Sequence, residues 1–294
     1  MKYKQLGNSQ SSTKISAIGM GAMPLSLSSR PSEEDAIAVI HKALDLGVTL
    51  IDTADAYCQD ESDKHHNESL IVKALQEYSK DTSSIAIATK GGLLRPEGRW
   101  TRDGNPDRLR KTIRESYAIL GGSKPIDLWQ YHAPDPNYTI AEALTPVKEA
   151  VDEGLIRYVG VSNFTVEEIE EARQTVNIVS VQNQYNLWHR QPESDGVLEY
   201  CEREGLIFFP YRPLGGSSRV SHLQDLKAIA ELAQERAVSV YQIALGWLRA
   251  KYSCIVPIPG ASKISSIEDS VKAVDLELST EEVRHIDRYL NALS

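Results

Sequence analysis

The sequence predicts an α/β fold of the (β/α)8 TIM-barrel class, in which eight parallel strands and their helices enclose one core. Three observations support this class. The chain has 294 residues, and ~250 residues are usual for one such barrel. Short apolar runs rich in β-branched residues alternate with segments of helical spacing. No linker or low-complexity stretch interrupts the alternation. We therefore expect residues 1–294 to form a single domain.

Eight apolar runs have the length and composition of buried strands. Most of them carry the Val, Ile and Phe side chains that favour a strand covered on both faces. The runs are Ile15–Met20, Val48–Ile51, Ile85–Ala88, Ile126–Tyr131, Ile156–Val161, Ile178–Val181, Leu206–Phe209 and Cys254–Ile258. Eight strands that alternate with helices form a closed barrel rather than an open sheet.

The segments between these strands carry the signals of helices. Apolar residues recur at helical spacing, as at Ile37, Ile40 and Leu44. A glycine just after such a segment is typical of a helix C-terminus. Three glycines stand in that position immediately before a predicted strand: Gly47, Gly154 and Gly205.

Further segments exceed the minimal barrel pattern. Tyr3–Thr13 precedes the first strand, and two helical segments, His222–Arg236 and Val240–Lys251, separate the last two strands. A final amphipathic stretch, Glu281–Leu290, is expected to cover one side of the barrel as an additional C-terminal helix. Two residues with N-capping side chains precede it: Ser279 and Thr280.

Composition and charge argue against several classes of partner. The formal net charge is -9, so the surface repels phosphate backbones and anionic lipid headgroups. We expect neither a nucleic-acid nor a membrane partner, because no apolar run is long enough to span a bilayer. The N-terminal residues lack the apolar stretch of a secretory signal. Three widely spaced cysteines without a CxxC motif indicate neither a disulfide framework nor a structural zinc site. A cytoplasmic location follows as an expectation.

Polar residues stand where the predicted strands end. One such residue carries little information, but a closed barrel gathers all carboxyl ends of its strands around one mouth, where barrel enzymes place their chemistry. These residues are Asp52 with the nearby Tyr57, Thr89-Lys90, His132, Ser162-Asn163, Gln182-Asn183, Tyr211-Arg212 and Pro259–Ser262. The whole set predicts an active site at this mouth.

Asp52, Tyr57, Lys90 and His132 can form a proton donor for a carbonyl. A free tyrosine is a poor acid, with a pKa of about 10, but a nearby ammonium stabilises the phenolate. Lys90 can supply that ammonium, and Asp52 can hold it charged and in place. A neutral His132 can orient or polarise the carbonyl oxygen that receives the proton. The set predicts protonation of a developing alkoxide.

Such a proton donor requires a source of hydride, and no side chain supplies hydride. A nicotinamide cofactor is therefore implied. The sequence has no dinucleotide-binding fingerprint of the GxGxxG type. The nearest candidate is Gly19–Pro24, which has proline in place of the third glycine and no helix directly after it. The cofactor must bind by another device.

The ordered set of motifs at the strand ends resembles the aldo-keto reductase superfamily. Each motif is weak alone, but their succession along nearly the whole chain is specific. The motifs are Leu50-Ile-Asp-Thr-Ala-Asp-Ala-Tyr57, Ala88-Thr-Lys90, Tyr131-His132, Gly160-Val-Ser-Asn-Phe164, Gln182-Asn-Gln-Tyr-Asn186, Pro210-Tyr-Arg-Pro-Leu-Gly215 and Ile258-Pro-Gly-Ala-Ser262. The resemblance implies Tyr57 as general acid, assisted by Lys90 and Asp52, with His132 orienting the carbonyl. It also implies that Tyr3–Thr13 forms a β-hairpin that plugs the bottom of the barrel.

The resemblance further assigns the nicotinamide end of the cofactor. It implies that Ser162, Asn163 and Gln182 hold the carboxamide and that Tyr211 stacks on the ring. It also places Gly21, Ala22 and Met23 close to the ring and counts Asp52 among the cofactor-binding residues.

Arg212, Pro213, Leu214 and Gly215 are expected to cover the pyrophosphate, where an arginine replaces the serine common after the stacking tyrosine. The adenosine end is assigned to Gly260, Ser262, Lys263, Ser266, Asp269 and Ser270. Ser266 and Ser270 replace the Arg or Gln and the Asn that relatives often carry there. A bidentate contact with a 2′-phosphate is therefore not assured, although Lys263 can compensate in part. NADP is favoured, and NAD stays open.

Several features of the sequence have a second interpretation. The polar loop from Cys58 to Glu68 is more consistent with a solvated or substrate loop than with a metal site, and no metal is expected. Trp100 and Trp188 are equally consistent with substrate contact and with packing. A cofactor-sensing binding module like the potassium-channel β subunits is the alternative function, with a barrel isomerase or metal hydrolase as a third class. The expected ligand is a small-molecule carbonyl compound, and neither its identity nor the oligomeric state can be deduced from the sequence.

Overall fold

The computed structural model describes residues 1–7, 11–27 and 29–293. Its strands are β1 (Tyr3–Gly7), β2 (Ser12–Ser16), β3 (Met20–Gly21), β4 (Leu50–Asp52), β5 (Ala86–Gly91), β6 (Leu93–Leu94), β7 (Thr101–Arg102), β8 (Ile126–Tyr131), β9 (Ile156–Ser162), β10 (Ile178–Gln182) and β11 (Ile207–Phe208). Its helices are α1 (Glu33–Asp45), α2 (His66–Glu77), α3 (Pro106–Ile119), α4 (Ile140–Asp152), α5 (Val166–Thr175), α6 (Gln191–Ser194), α7 (Val197–Glu204), α8 (Lys227–Glu235), α9 (Val240–Lys251), α10 (Ile264–Lys272) and α11 (Thr280–Asn291). Short 3-10 helices occupy Met23–Leu25, Glu61–Asp63, Pro96–Gly98 and Val220–Asp225.

The central sheet is parallel and has the strand order β3-β4-β5-β8-β9-β10-β11. Residues 254–260 close it, because they lie between its two edge strands. On one side, the amide of Phe208 donates to the carbonyl of Cys254 at 2.9 Å. On the other, the amide of Gly21 donates to the carbonyl of Pro259 at 3.0 Å. This segment is the eighth strand, and the predicted (β/α)8 barrel is confirmed.

The predicted first strand, Ile15–Met20, is wrong in its position. Ile15 and Ser16 belong to β2, where they pair with β1, and the barrel strand β3 consists of Met20 and Gly21. The chain turns a corner between the two elements, and the hydroxyl of Ser16 donates to the carbonyl of Ile18 at 2.7 Å there. Residues 15–21 are all buried, so one continuous apolar run covers the corner and conceals it.

The β1–β2 hairpin lies against the amino-terminal end of the barrel, as the resemblance implied. Leu6 and Ile15 are fully buried in a cluster with inward-facing strand residues such as Leu128 and Val256. The Lys4 ammonium donates to the carbonyl of Ser253, which immediately precedes the eighth strand, at 2.6 Å. The hairpin therefore closes the bottom with apolar side chains. Residues 8–10, inside the predicted Tyr3–Thr13 segment, lie outside the described residues.

The outer helices follow the sequence signals closely. Gly47, Gly154 and Gly205 all have positive φ values at or just after helix C-termini, as predicted. Ser279 is the N-cap of α11 and forms a capping box with Glu282, whereas Thr280 is the first residue of the helix. Val240–Lys251 is confirmed as α9.

Two details of the outer layer differ from the sequence-based expectation. The predicted segment His222–Arg236 is divided between the 3-10 helix Val220–Asp225 and α8. A short antiparallel hairpin, β6–β7, extends from the carboxyl end of β5 and was not predicted. None of the described helices is long and apolar enough to cross a lipid bilayer.

Candidate active site

Lys90 is at the centre of the polar cluster inside the barrel mouth. Its ammonium donates three hydrogen bonds, to Asp52 Oδ2 at 2.8 Å, to the carbonyl of Thr53 at 2.8 Å and to Tyr57 Oη at 2.9 Å. Lys90 is fully buried, and Asp52 and Tyr57 are buried beside it. All three N–H donors of the ammonium are therefore used. The third bond holds the phenol oxygen of Tyr57 next to the positive charge of Lys90.

Neighbouring strands produce this arrangement. Asp52 ends β4 and pairs with Ala88 of β5, so Lys90 extends two residues beyond it at the carboxyl end. The loop that carries Tyr57 is attached to the same strand, because the amide of Thr53 donates to the carbonyl of Ala88 at 2.8 Å. The amide of Asp55 donates to the carbonyl of Lys90 at 3.1 Å. The phenol is therefore positioned by backbone hydrogen bonds.

Burial, together with the charge of Asp52, raises the pKa of Tyr57 well above its ordinary value. This direction is opposite to the lowering that the sequence led us to expect from Lys90, because desolvation of the buried phenol disfavours the phenolate. Burial also lowers the pKa of Lys90, an effect that Asp52 opposes. At neutral pH the phenol therefore carries its proton and is an acid, with an ammonium in place to stabilise the phenolate formed from it.

His132 follows β8 and lies against the phenol ring. The two ring centroids are 5.9 Å apart and meet edge to face. Burial and the charge of Lys90 hold the pKa of His132 well below its ordinary value. The imidazole is therefore neutral at physiological pH and can donate one hydrogen bond to a carbonyl oxygen without transferring a proton.

The residues assigned to the carboxamide are adjacent in space. Tyr211 donates from its hydroxyl to Asn163 Oδ1 at 2.8 Å, and the Asn163 amide nitrogen donates to Ser162 Oγ at 3.2 Å and to the carbonyl of His132 at 2.9 Å. The amide nitrogen of Gln182 donates to Asp52 Oδ1 at 2.8 Å. Gln182 thus helps to position the Asp52 carboxylate, which in turn positions the Lys90 ammonium.

The glycines at the mouth allow two backbone segments to approach each other. A Cβ atom on Gly21 would lie 2.8 Å from the carbonyl oxygen of Ile258, and one on Gly260 would lie 2.8 Å from the Pro24 side chain. The amide of Ala22 donates to the carbonyl of Asp52 at 2.9 Å. Gly21, Ala22 and Met23 therefore border the same mouth as the Lys90 cluster.

The segment from Arg212 to Gly215 forms a turn beside Tyr211. The carbonyl of Arg212 accepts from the amide of Gly215 at 2.8 Å and from the Asn186 side chain at 3.0 Å. Trp188 packs under the turn, since a Cβ atom on Gly215 would lie 2.6 Å from its ring. The Arg212 side chain is exposed, and within the described parts of the chain its guanidinium has no ion pair. Pro213 is buried and Leu214 is half-buried in the same turn.

The segment predicted to bind adenosine lies at the start of α10. Lys263 and Ser266 are exposed, Ser262 is half-buried and Ser270 is buried. Asp269 accepts hydrogen bonds from Ser239 Oγ and Gln242 Nε2, both at 2.5 Å. Its carboxylate is therefore bonded to residues at the start of α9.

The polar loop from Cys58 to Glu68 is partly a buried network rather than a solvated loop. Glu68 is fully buried, and its carboxylate accepts from Thr89 at 2.5 Å and lies 2.6 Å from the His65 ring nitrogen. Asp55 is also buried, and burial raises its pKa to about 6. Cys58 is buried, and burial raises the pKa of its thiol to about 12. Within residues 1–7, 11–27 and 29–293, no group of three or more His, Cys, Asp or Glu residues has the arrangement of a metal site.

The β6–β7 hairpin was the main feature that the sequence left undetected. Trp100, immediately before β7, lies with its ring centroid 6.3 Å from that of Tyr57 and 6.3 Å from that of His132. Trp100 also packs against the Arg95 guanidinium, 4.1 Å from its ring centroid, so its position fits both interpretations, ligand contact and packing. Arg95, in the same hairpin, was not singled out at all, because nothing in the sequence marks a loop arginine as buried.

The sequence profile of the aldo/keto reductase family matches residues 17–291. The chain belongs to this family. This aldo/keto reductase is 37% identical over 278 residues to an uncharacterised oxidoreductase of Schizosaccharomyces pombe, covering 93% of this chain and 86% of that protein. It is 31% identical over 284 residues to the pyridoxine 4-dehydrogenase of Escherichia coli, covering 93% of this chain and 94% of the relative.

A solved structure is similar over the whole barrel. It is the thermostable aldo-keto reductase Tm1743 in complex with the inhibitor epalrestat, with a TM-score of 0.82 and 31% identity, covering 98% of this chain and all of the other. Members of the family use NADP(H). The aldo/keto reductase described here is accordingly an oxidoreductase enzyme.

Proposed function

We propose that this aldo/keto reductase transfers a hydride reversibly between NADP(H) and a carbonyl compound, with Tyr57 as the general acid in the reducing direction. The observation that carries the proposal is the contact of 2.9 Å between the buried Lys90 ammonium and the phenol oxygen. A buried ammonium beside a neutral phenol lowers the free energy of the phenolate that forms when the proton leaves. The carbonyl substrate is a small-molecule aldehyde or ketone.

The side chains divide the proton chemistry among them. The neutral imidazole of His132 donates a hydrogen bond that orients the carbonyl oxygen. Tyr57 donates its proton to this oxygen as negative charge develops there, and Lys90 stabilises the resulting phenolate, which takes a proton from solvent before the next turnover. Asp52 and Gln182 hold Lys90 in position. The nicotinamide cofactor, when bound, supplies the hydride that goes to the carbonyl carbon.

The proposed cofactor site extends from the nicotinamide residues around Asn163 to the start of α10. Ser162, Asn163 and Tyr211 present hydroxyl and amide groups that suit a carboxamide and an aromatic ring. Arg212 is an exposed cation without a partner among the described residues, which suits the pyrophosphate. Lys263 is exposed at the N-cap of α10, where a helix N-terminus and an ammonium together favour a 2′-phosphate.

Tyr57→Phe tests the function. We expect kcat for oxidation of NADPH with a panel of aldehydes to fall by roughly 10²- to 10⁴-fold, the usual contribution of a positioned acid, while NADPH binding measured by fluorescence is kept. Tyr3→Phe, at a phenol that is 42% exposed, is the matched control. Full activity of Tyr57→Phe would show that the proton comes from another group.

Two measurements distinguish this proposal from an NAD-dependent enzyme and from a cofactor-sensing binding module. NADPH must give a higher kcat/KM than NADH, and equal values would contradict the assignment of Lys263 to a 2′-phosphate. Tight NADPH binding without turnover of any aldehyde would instead favour the cofactor-sensing module.

We also propose that residues 1–294 act as one domain in the cytoplasm, a location supported by three free thiols.

A further inference from the structure

The β6–β7 hairpin carries a charged side chain directly against the wall of the candidate active site. The hairpin follows β5, the strand of Lys90, and holds Trp100 beside Tyr57 and His132. The guanidinium carbon of Arg95 lies 4.1 Å from the centroid of the Trp100 ring. The Trp100 ring therefore has both Arg95 and the catalytic phenol as neighbours.

Arg95 is buried without a counter-ion. Only 7% of the residue is exposed, and its Nε atom is buried without a hydrogen-bond partner. Its Nη2 atom makes a single long contact of 3.5 Å with the carbonyl of Gln59. Among residues 1–7, 11–27 and 29–293, no carboxylate oxygen lies within the 4.0 Å ion-pair distance of the guanidinium.

The acids around the hairpin are bonded to other groups. Glu61 accepts a hydrogen bond from the backbone amide of Arg95 rather than from its guanidinium. Glu97 pairs with Arg99 at 2.8 Å, and Asp103 pairs with Arg108 at 2.5 Å. Arg99 and Arg108 therefore pair with acids at the surface, whereas the buried Arg95 has no acidic partner among the described residues.

A buried cation without a partner is unfavourable, because the desolvation free energy of a guanidinium is fully offset only by an anion or by complete hydrogen bonding. Stacking on an indole offsets a part of this desolvation free energy. A ligand of opposite charge can supply the missing partner of a buried guanidinium. Arginine is well suited to this task, because its planar fork matches the oxygens of a carboxylate or a phosphate.

We propose that Arg95 binds an anionic group of the carbonyl substrate, a carboxylate or a phosphate, while Trp100 forms the apolar wall between this group and the reacting carbonyl. This inference rests on the proposed function and names its substrate class: aldehydes or ketones that carry an anionic group at a distance of about one aromatic ring from the carbonyl. Arg95 is then a specificity-determining residue.

The test compares charged aldehydes with neutral ones of the same shape. The pairs are 4-carboxybenzaldehyde against benzaldehyde, 4-oxobutanoate against butanal, and glyceraldehyde 3-phosphate against glyceraldehyde. We expect the wild-type protein to favour at least one anionic class by roughly ten- to hundredfold in kcat/KM, as charge-assisted hydrogen bonds allow. The carboxylate and phosphate pairs show which anion is preferred.

Arg95→Gln is expected to abolish that preference and to leave kcat/KM for the neutral aldehydes within about twofold. Arg99→Gln is the matched control, since this arginine lies on the same hairpin with its side chain 73% exposed. Wild-type indifference to both anions overturns the inference, as does a preference that survives in Arg95→Gln. An equal loss for charged and neutral aldehydes also overturns it, because Arg95 would then only support Trp100.

A binding measurement keeps the inference testable even without turnover. Calorimetry compares terephthalate with benzoate on the protein saturated with NADP, so that one carboxylate can occupy the position of the carbonyl in both cases. The second carboxylate should strengthen binding at least tenfold in the wild type and not in Arg95→Gln. Equal affinities for the two acids in the wild type would contradict a role of Arg95 in anion binding. Failure of the proposed function itself is recognised separately, by the absence of turnover with every aldehyde, charged and neutral alike.

Discussion

The two ends of the barrel are built from opposite kinds of residue. The amino-terminal end is closed by the β1–β2 hairpin, whose Leu6 and Ile15 are fully buried among apolar side chains. The carboxyl-terminal end buries charged side chains, Lys90 and Glu68 among them, at equally low exposure. Apolar burial stabilises the fold, whereas each buried charge carries a desolvation cost that hydrogen bonds or an ion partner must offset. The comparison indicates that stability and chemistry reside at opposite ends of the same strands.

Leu6→Ala is expected to produce the largest change in stability. Removing a fully buried leucine side chain costs about 2–5 kcal/mol of unfolding free energy, because apolar contacts are lost and a cavity remains. Urea unfolding measures this loss, and Leu293→Ala, at a residue that is 61% exposed, is the control. kcat/KM for an aldehyde should stay within twofold of the wild type. A large fall in kcat/KM would mean that the two ends are coupled.

Asp55→Asn should act in the opposite direction at the carboxyl-terminal end. Burial raises the pKa of Asp55 from 3.8 to about 6, so between about pH 4 and pH 6 the folded protein binds more protons than the unfolded chain. Stability attributable to this group therefore falls as the pH rises through that window, by about 3 kcal/mol in total. Asn carries no charge, so the variant should be more stable than the wild type at pH 7.

The difference in unfolding free energy between Asp55→Asn and the wild type should vanish near pH 4, where Asp55 of the folded protein is protonated. Unfolding in urea at several pH values measures it, with the exposed Asp275→Asn as the control. A variant that is less stable than the wild type at pH 7 would show that the contacts of the Asp55 carboxylate with Thr112 and Lys64 outweigh its desolvation.

Arg212→Ala should have a smaller effect than the Leu6 and Asp55 substitutions. It removes an exposed charge at the carboxyl-terminal end of the barrel. We expect the dissociation constant for NADPH to rise roughly tenfold, because one charge-assisted hydrogen bond to the pyrophosphate is lost. Fluorescence titration measures it. Arg203→Ala, whose side chain is 61% exposed on α7, should bind NADPH as the wild type does. An unchanged dissociation constant in Arg212→Ala would remove this residue from the cofactor site.

The sequence was informative where one physical pattern dominated. Buried strands such as Ile126–Tyr131 and helices such as Val240–Lys251 were predicted with their bounds, because continuous apolar runs and helical periodicity are local properties. The corner after Ile15 was missed, since both sides of it are apolar. The cluster of Asp52, Tyr57, Lys90 and His132 was predicted from chemistry, because their strands must meet at one mouth.

The remaining features depend on three-dimensional packing. Glu68 belongs to an acidic stretch that has the composition of a surface loop, yet it is fully buried because Thr89 and His65 satisfy its carboxylate. The net rise in the pKa of Tyr57 depends on how completely the phenol is buried, which composition does not reveal. Arg95 has no sequence signal, since its burial follows from the short hairpin that folds Trp100 over it.

The position of Trp100 gives the protein an optical reporter. Trp129 and Trp247 are fully buried, whereas Trp100 is 42% exposed and lies beside Tyr57 and His132. Among these three tryptophans, Trp100 should emit at the longest wavelength, and its side chain should be the most accessible to an aqueous quencher. Because reduced nicotinamide absorbs in the range where indole emits, docking of the cofactor should quench this component through energy transfer. Ligand entry can thus be followed in real time with no added dye.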